Sequence, residues 1–270
     1  MIEKDMKLKN IYIDPSGGIS GDIFTASLIS LGADKNKLID GMLMAGKKLG
    51  EISIDTVLAD DKASQLKIEL EPSHPHIKAE NAKKMLDEIF IELNIEANYR
   101  KFGYTVLNIL IEAEQKAHSE NSFLTDHIHD NLEKSDHHHH HGSETYLHEA
   151  QDIIIDIIGA VIGLQLLNLK TEVTMLAPLR VGGGSISFSH GTLTVPSPAT
   201  KNILKKYKIN WQMGPIDKEI CTPTGSAILT ALKPELFIDK KEFNEKNYIK
   251  GSSRGSKIFD IPPFKIYIDK

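Results

Sequence analysis

Seven of the chain's twelve histidines fall between His127 and His141. His127 and His129 lead, and His137, His138, His139, His140 and His141 follow as an unbroken run. Imidazole is largely neutral at pH 7 and is a borderline-soft ligand suited to nickel, copper and zinc. On a hydrated segment such a tract is a metal-capture device; the alternative is a neutral expansion of a loop. A second group follows, His148-Glu149-Ala150-Gln151-Asp152 with Asp156. If the stretch is helical, His148, Asp152 and Asp156 fall at i, i+4 and i+8 along one face, with Glu149 one position round. Such a stripe holds a divalent cation. It also approaches the His-Glu-x-x-His pattern of zinc hydrolases, with Asp152 where the second histidine would stand. Asp156 lies among Ile153, Ile154, Ile155, Ile157 and Ile158, where an unpaired carboxylate is costly. It requires a metal or another cation, or a strong hydrogen-bond donor; a structural lysine would also serve.

Other stretches suit anions. In Asp14-Pro15-Ser16-Gly17-Gly18-Ile19-Ser20-Gly21-Asp22, a strand end, small residues and a helix start leave backbone N–H groups free. There is no Gly-Lys-Ser/Thr, so it is not a Walker loop. Asp14 and Asp22 are candidate catalytic or ligand-ordering carboxylates; the plain reading has Asp22 complementing a helix dipole. Arg180-Val181-Gly182-Gly183-Gly184 is a candidate phosphate nest or simply a turn between strands. His190, Ser197, Thr222 and Thr224 cluster near it in sequence as candidate ligand contacts, the hydroxyl residues being equally plain helix caps. Cys221 has no base near it in sequence and is read as a small core residue. His74 and His76 are read as surface-loop residues.

The elements that must position these groups follow from pattern and punctuation. Ile11-Tyr12-Ile13 reads as a strand, followed by helices from about Ser20 to Leu31 and Lys35 to Lys48. Glu51 to Leu58 and Gln65 to Leu70 alternate as paired strands. Helices are expected from Ile77 to Leu93, from Tyr99 to Ala117 and from Tyr146 to Leu169. Strands are expected at Glu172 to Leu176 and Ser185 to Val195. Ser197-Pro198 and Thr222-Pro223 are caps with proline at the first helical position. The expected architecture is α/β, a mixed sheet with packed helices and a His-rich mobile loop in mid-chain. Residues 1–118 and 146–270 would be two α/β parts, of one domain or two, joined by a flexible 119–145 loop.

Composition sets the class. The chain has 270 residues, 40% apolar and 26% charged, with a net charge of −5. Without a basic cluster no nucleic-acid partner is expected. A single cysteine excludes an internal disulfide framework and a Cys-based zinc site. The apolar run Ile153 to Leu169 is broken by Asp156, two glycines and Gln165, so it reads as a buried helix rather than a membrane span. A cytoplasmic protein is expected, with a homo-oligomer among its open arrangements.

Taken in order, these stretches resemble the LarC nickel-insertion family of nickel-pincer cofactor biosynthesis. The resemblance rests on Tyr12-Ile13-Asp14-Pro15 with Gly18 to Asp22, the His-rich insert, and His148-Glu149 with Asp152 to Gly159. It continues through Ala177 to Thr200 and closes with Glu219-Ile220-Cys221-Thr222-Pro223-Thr224-Gly225. The resemblance implies a nickel-binding protein. Such proteins insert the metal into pyridinium-3,5-bisthiocarboxylic acid mononucleotide in a reaction that consumes CTP. It implies capture of Ni(II) by the His127 to His141 tract and an ordered transfer site at His148, Glu149, Asp152 and Asp156. The nucleotide would be gripped by Gly182, Gly183, Gly184, His190, Ser197, Thr222 and Thr224. Departures are specific. Tyr146 stands where the family places a histidine, and the run from His148-Glu149 to Asp152 is two residues short. On a helix that shortening turns the pair by about 200° relative to the aspartates. The segment Gly251 to Gly255 matches poorly, and the family continues beyond Asp269 into a C-terminal part associated with CTP and a divalent cation. This chain is therefore expected to be an N-terminal portion that works with such a partner. The alternatives are a nickel storage or metallochaperone module, and a metal hydrolase dependent on Asp152.

Overall fold

Ile11 and Ile13 alternate with Tyr12 in the first strand, β1 (Lys9–Asp14), and both isoleucines are fully buried. A strand with one face on the core needs a partner layer. That layer is helical. A computed structural model describes residues 7–73, 76–120, 146–148, 152–188, 191–234, 236–237 and 241–270. After β1 come a 3-10 turn at Pro15–Gly17 and helices α1 (Gly21–Ser30) and α2 (Lys35–Lys47). The hairpin β2 (Gly50–Leu58) and β3 (Ser64–Pro72) pairs antiparallel as expected, and β4 (His76–Lys78) leads into α3 (Ala79–Glu92) and α4 (Ala97–Glu120). The second stretch runs β5 (Tyr146–His148), α5 (Asp152–Leu166), β6 (Leu169–Met175), β7 (Leu179–Arg180), β8 (Ser185–Phe188) and β9 (Gly191–Thr194). It ends with α6 (Pro198–Lys206), β10 (Trp211–Gln212), α7 (Pro223–Ala231), β11 (Leu236–Phe237), β12 (Tyr248–Ser253) and β13 (Phe264–Asp269).

Among the described residues the main sheet has seven strands in the order β11-β6-β1-β13-β12-β3-β2. β1 runs parallel to β6 and antiparallel to β13, so the sheet is mixed. Strands from both ends of the chain interleave: Ile13 is paired with Ile266 on one side and Met175 on the other. The expected mixed α/β fold is the observed one.

α5 is the core helix. Every residue from Ile153 to Leu164 is buried, which suits a helix that is apolar all round and packed on several neighbours. It touches α1, α2 and α4, and Tyr99 Oη of α4 donates to Leu169 O at 3.0 Å to tie that helix to β6. Among the described residues, no helix is long and apolar enough to cross a membrane.

Two element boundaries differ from expectation. The helix containing Asp152 begins there rather than at Tyr146, and residues 146–148 form β5, antiparallel to β4. His148 is therefore on a strand, in register with His76, and does not share a helical stripe with Asp152 and Asp156. The cause is pairing between segments distant in sequence, which a local pattern cannot register. The His-Glu-x-x-His hydrolase reading needs one continuous helix and loses its geometric basis. His127, His129, His137 to His141, Glu149 and His190 lie outside the described residues.

Candidate functional site

The packing of α1 on α5 brings Asp22, in the first turn of α1, towards Asp152 and Asp156, in the first two turns of α5. The approach depends on Gly21. A Cβ there would stand 2.0 Å from Asp156 Oδ2 and 2.1 Å from its Cγ, so only glycine lets the carboxylate lie against the start of α1. A helix start is a favourable place for an anion, because its N–H groups and dipole point outwards. Asp22 and Asp152 each take backbone N–H groups at their own helix start, whereas Asp156 is given none.

Their electrostatics are those of a site short of positive charge. Asp156 is only 6% exposed. Burial raises its carboxyl well above the usual carboxylate range, and the like charges of Asp152 and Asp22 add to the effect. Asp152 keeps contact with solvent at the helix start, yet crowding and then the Asp22 charge raise it too. Burial also raises Asp22, partly offset by hydrogen bonds from Ser20 Oγ and from backbone N–H groups. Among the described residues, no ion pair reaches any of the three, although isolated buried carboxylates are costly. Nor do any three His, Cys, Asp or Glu side chains among the described residues already stand as a metal-ligand group. A cation would have to draw the carboxylates inwards.

Asp22 also lines a cavity of about 240 Å³. One wall is Gly17 and Ser20; a second is Glu219 and Thr222, just ahead of α7. Backbone bonds from Ile19 N to Ile220 O (2.8 Å) and from Thr222 N to Ile19 O (3.1 Å) hold these walls together. Thr222 accepts from Gly225 N at 3.2 Å, the cap its Thr-Pro sequence indicates. The third wall is the 254–263 segment. Arg254 anchors it, with Nε and Nη2 each 2.8 Å from Asp61 Oδ2 and Nη1 donating to Phe259 O (3.2 Å) and Ile261 O (2.7 Å). The guanidinium in turn holds the Asp61 carboxyl below its usual range. Gln65 Nε2 adds a bond to Gly255 O at 2.6 Å.

Arg254→Ala should lower stability by about 1–2 kcal/mol, since two carbonyls lose their donor, with little added for the partly solvated Asp61 pair. Arg254→Lys should recover little, because an ammonium cannot span all three acceptors. Denaturant titration reads the first effect, and faster amide exchange confined to residues 255–263 reads the loosened wall. Unchanged exchange there would refute the anchoring role.

The remaining sequence candidates are placed as follows. Asp14 is buried, accepts from Ser16 N at 3.2 Å and from Ser16 Oγ, and caps the 3-10 turn outside the cavity lining. At the triglycine, read as a phosphate nest or a turn between strands, two of the three amides are taken by backbone: Gly182 N donates to Gly214 O (3.1 Å) and Gly183 N to Lys218 O (3.3 Å). Gly182 has φ +86° and a Cβ there would lie 1.8 Å from Lys218 O, so it serves close backbone approach. Gly184 O accepts from Val195 N at 3.0 Å. Ser197 makes no capping bond to the backbone; its Oγ is 3.0 Å from Thr200 Oγ1 in a buried pair. Thr224 is buried in the first turn of α7. Cys221 is fully buried and burial pushes its thiol up, which removes it as a nucleophile. Sequence reasoning missed Glu219, Arg254 and Lys257 as cavity residues, and His76 as the register partner of His148. The one available signal was Arg254-Gly255-Ser256-Lys257, two cations flanking a small-residue turn.

The fold and site define an α/β protein in which three carboxylates, with no ion pair among the described residues, meet beside a cavity of mixed lining. The chain belongs to the nickel insertion protein family, whose family model matches residues 11–262. It is 31% identical over 231 residues to a putative nickel insertion protein of Methanocaldococcus jannaschii, covering 83% of this chain and 52% of the relative. It is 29% identical over 289 residues to the pyridinium-3,5-bisthiocarboxylic acid mononucleotide nickel insertion protein of Clostridium acetobutylicum, covering 94% and 62%. A Staphylococcus saprophyticus protein of the same description is 28% identical over 82% of this chain and 50% of its own length. The chain thus spans only 52%, 62% and 50% of these relatives. No solved structure matches it.

Proposed function

We propose that this chain is the nickel-handling portion of an enzyme that inserts Ni(II) into pyridinium-3,5-bisthiocarboxylic acid mononucleotide. The observation that carries the reading is the Asp22, Asp152 and Asp156 group, brought together around the buried Asp156 with no ion pair among the described residues. A divalent cation removes their mutual repulsion and the desolvation cost at once. Nickel is the cargo here. Oxygen donors alone hold it loosely compared with imidazole or sulfur. Loose holding suits transfer to a product with sulfur ligands. His148 would add a nitrogen donor and Glu149 an oxygen donor, the roles expected of them from the sequence. The tract from His127 to His141 would raise the local supply of metal.

CTP and its divalent cation are assigned to a C-terminal part. The amides of Gly182 and Gly183 are already used, so the triglycine offers no phosphate grip there, and no step on this chain is routed through CTP.

The test is nickel binding by equilibrium dialysis, in the chain and in an Asp22→Asn/Asp152→Asn double variant. Insertion is then assayed with a family C-terminal part, CTP and the metal-free mononucleotide. The expected result is tight binding of nickel by the parent chain, at least tenfold weaker binding by the variant once the His137 to His141 run is replaced in both, and insertion by the parent only. Equal binding in both would refute the carboxylate site. Nickel binding with no insertion would favour storage.

A further inference from the structure

β2 is the last strand of the main sheet, and among the described residues nothing pairs with its outer edge. A free edge presents a row of unpaired N–H and C=O groups, which proteins ordinarily guard with proline, lysine, a bulge or a very short strand. β2 has none of these guards. It is nine residues long, contains neither proline nor lysine, and follows β3 without a break in register. Its side chains divide by face. Ile52 and Ile54 pack on the helical layer yet stay half-exposed, and on the same face Leu58 is 70% exposed. Glu51, Ser53 and Asp55 take the other face, in register with Glu71, Glu69 and Lys67 of β3.

The strand is complementary to itself. Opposed residues in a strand pair share a face, and like charges directly opposed are destabilising. With a two-fold axis through Ile54, all nine residues find partners in β2 of a second copy. Ile54 meets Ile54, Ile52 meets Thr56, and Leu58 comes opposite Gly50, where no side chain stands in its way. On the other face Glu51 meets Val57 and Asp55 meets Ser53, so no two carboxylates are directly opposed. An axis at Ser53 would set Glu51 against Asp55, and an axis at Asp55 would set that carboxylate against its own copy. We propose that β2 pairs antiparallel with β2 of a second copy of this chain about a two-fold axis through Ile54, joining two seven-stranded sheets into one. The pairing occupies the free edge and completes the burial of both isoleucines. It also bears on the cavity, because the turn after β2 carries Asp61, which holds Arg254 and the 254–263 wall. No metal enters the contact, so it stands or falls apart from the nickel-handling reading.

The test is sedimentation velocity of the full chain at low and high salt, followed by site-directed crosslinking. A dimer is expected, and its dissociation constant should fall at least about threefold between roughly 50 and 500 mM salt, because Glu51, Asp55, Glu69 and Glu71 of the two copies repel through solvent. Cys221 is fully buried, so an introduced cysteine supplies the reactive thiol. Opposed residues stand about 4.5–5.5 Å apart between Cα atoms, within disulfide reach. Ile54→Cys should therefore join two copies under mild oxidation, whereas Ile52→Cys, opposite Thr56, should not. Amide exchange in β2 should slow as the dimer forms. A monomer at both salt concentrations would overturn the proposal. So would a dimer that crosslinks equally through both cysteines or through neither, which would place the contact elsewhere. Protection of β2 by a family C-terminal part, with no self-association in its absence, would also overturn it and give the edge to that partner.

Discussion

In metal-free buffer at about pH 8, an Asp156→Asn chain is expected to melt above the parent and to lose most of the stabilisation that nickel confers. The carboxyl is 6% exposed and faces Asp152 and Asp22, so ionising it in the folded state is opposed by burial and then by like charge. The sign follows from linkage. A carboxyl raised in the fold contributes stability that is complete below its unfolded value, near 3.8, and is lost as pH rises through the raised folded value. The parent should therefore weaken steadily from mild acid upwards, while the asparagine variant keeps a flatter profile. The buried amide has its own desolvation cost, which limits the net gain to about 1–2 kcal/mol. For a chain of this size that corresponds to a few degrees in melting temperature. Nickel should reverse the order, lifting the parent most where its carboxylates are ionised. A variant that melts lower at every pH and still responds fully to nickel would show that Asp156 is a structural residue with a hidden donor.

Gly21→Ala should be more damaging still. The added methyl would meet Asp156 Oδ2 at 2.0 Å, Cγ at 2.1 Å and Cβ at 2.5 Å, so either α1 and α5 part or the carboxylate swings away. Overpacking at a helix contact typically costs about 1–3 kcal/mol, and a charged, buried neighbour places this case at the upper end. Because the clash extends to Cβ, Asp156→Ala would not relieve it. Asp156→Gly would, at about 1 kcal/mol for glycine within a helix. The Gly21→Ala/Asp156→Gly double variant should thus be more stable than the sum of the two single losses, with a coupling above about 1 kcal/mol by denaturant titration. Additive losses would mean that the two residues do not meet.

These two residues also mark where legibility in the sequence ended. The isoleucine-flanked Asp156 announced a buried carboxylate in need of a partner, because apolar neighbours on both sides leave a helix no polar face. What it would meet was not legible. Asp22 was visible as a first-turn acid able to face a ligand, though not as a neighbour of Asp156, and Gly21 only as a small residue. The contact between them exists because α1 and α5 cross at that point, which is a property of packing. His148 shows the opposite error. Its i, i+4, i+8 spacing to Asp152 and Asp156 was real, but spacing implies a shared face only if the helix runs through it. Pairing of 146–148 with 76–78 ends it.

By itself the sequence determined the elements whose signals are local: the alternation of Ile11 and Ile13, the paired strands around residue 60, the proline-led helices at Pro198 and Pro223, and the apolar α5. It also determined the family, through five ordered motifs. Only the tertiary structure decided that Asp22 joins Asp152 and Asp156 while Asp14 caps a turn outside the cavity lining. The same holds for Gly182 and Gly183, whose amides go to neighbouring backbone, and for Glu219 and the Arg254-held wall that line a cavity. The reason is physical. A cap or an alternation is set by neighbours a few residues away. A group of charges from distant segments is set by which helices pack, and the unpaired charge it leaves is visible only after they have done so.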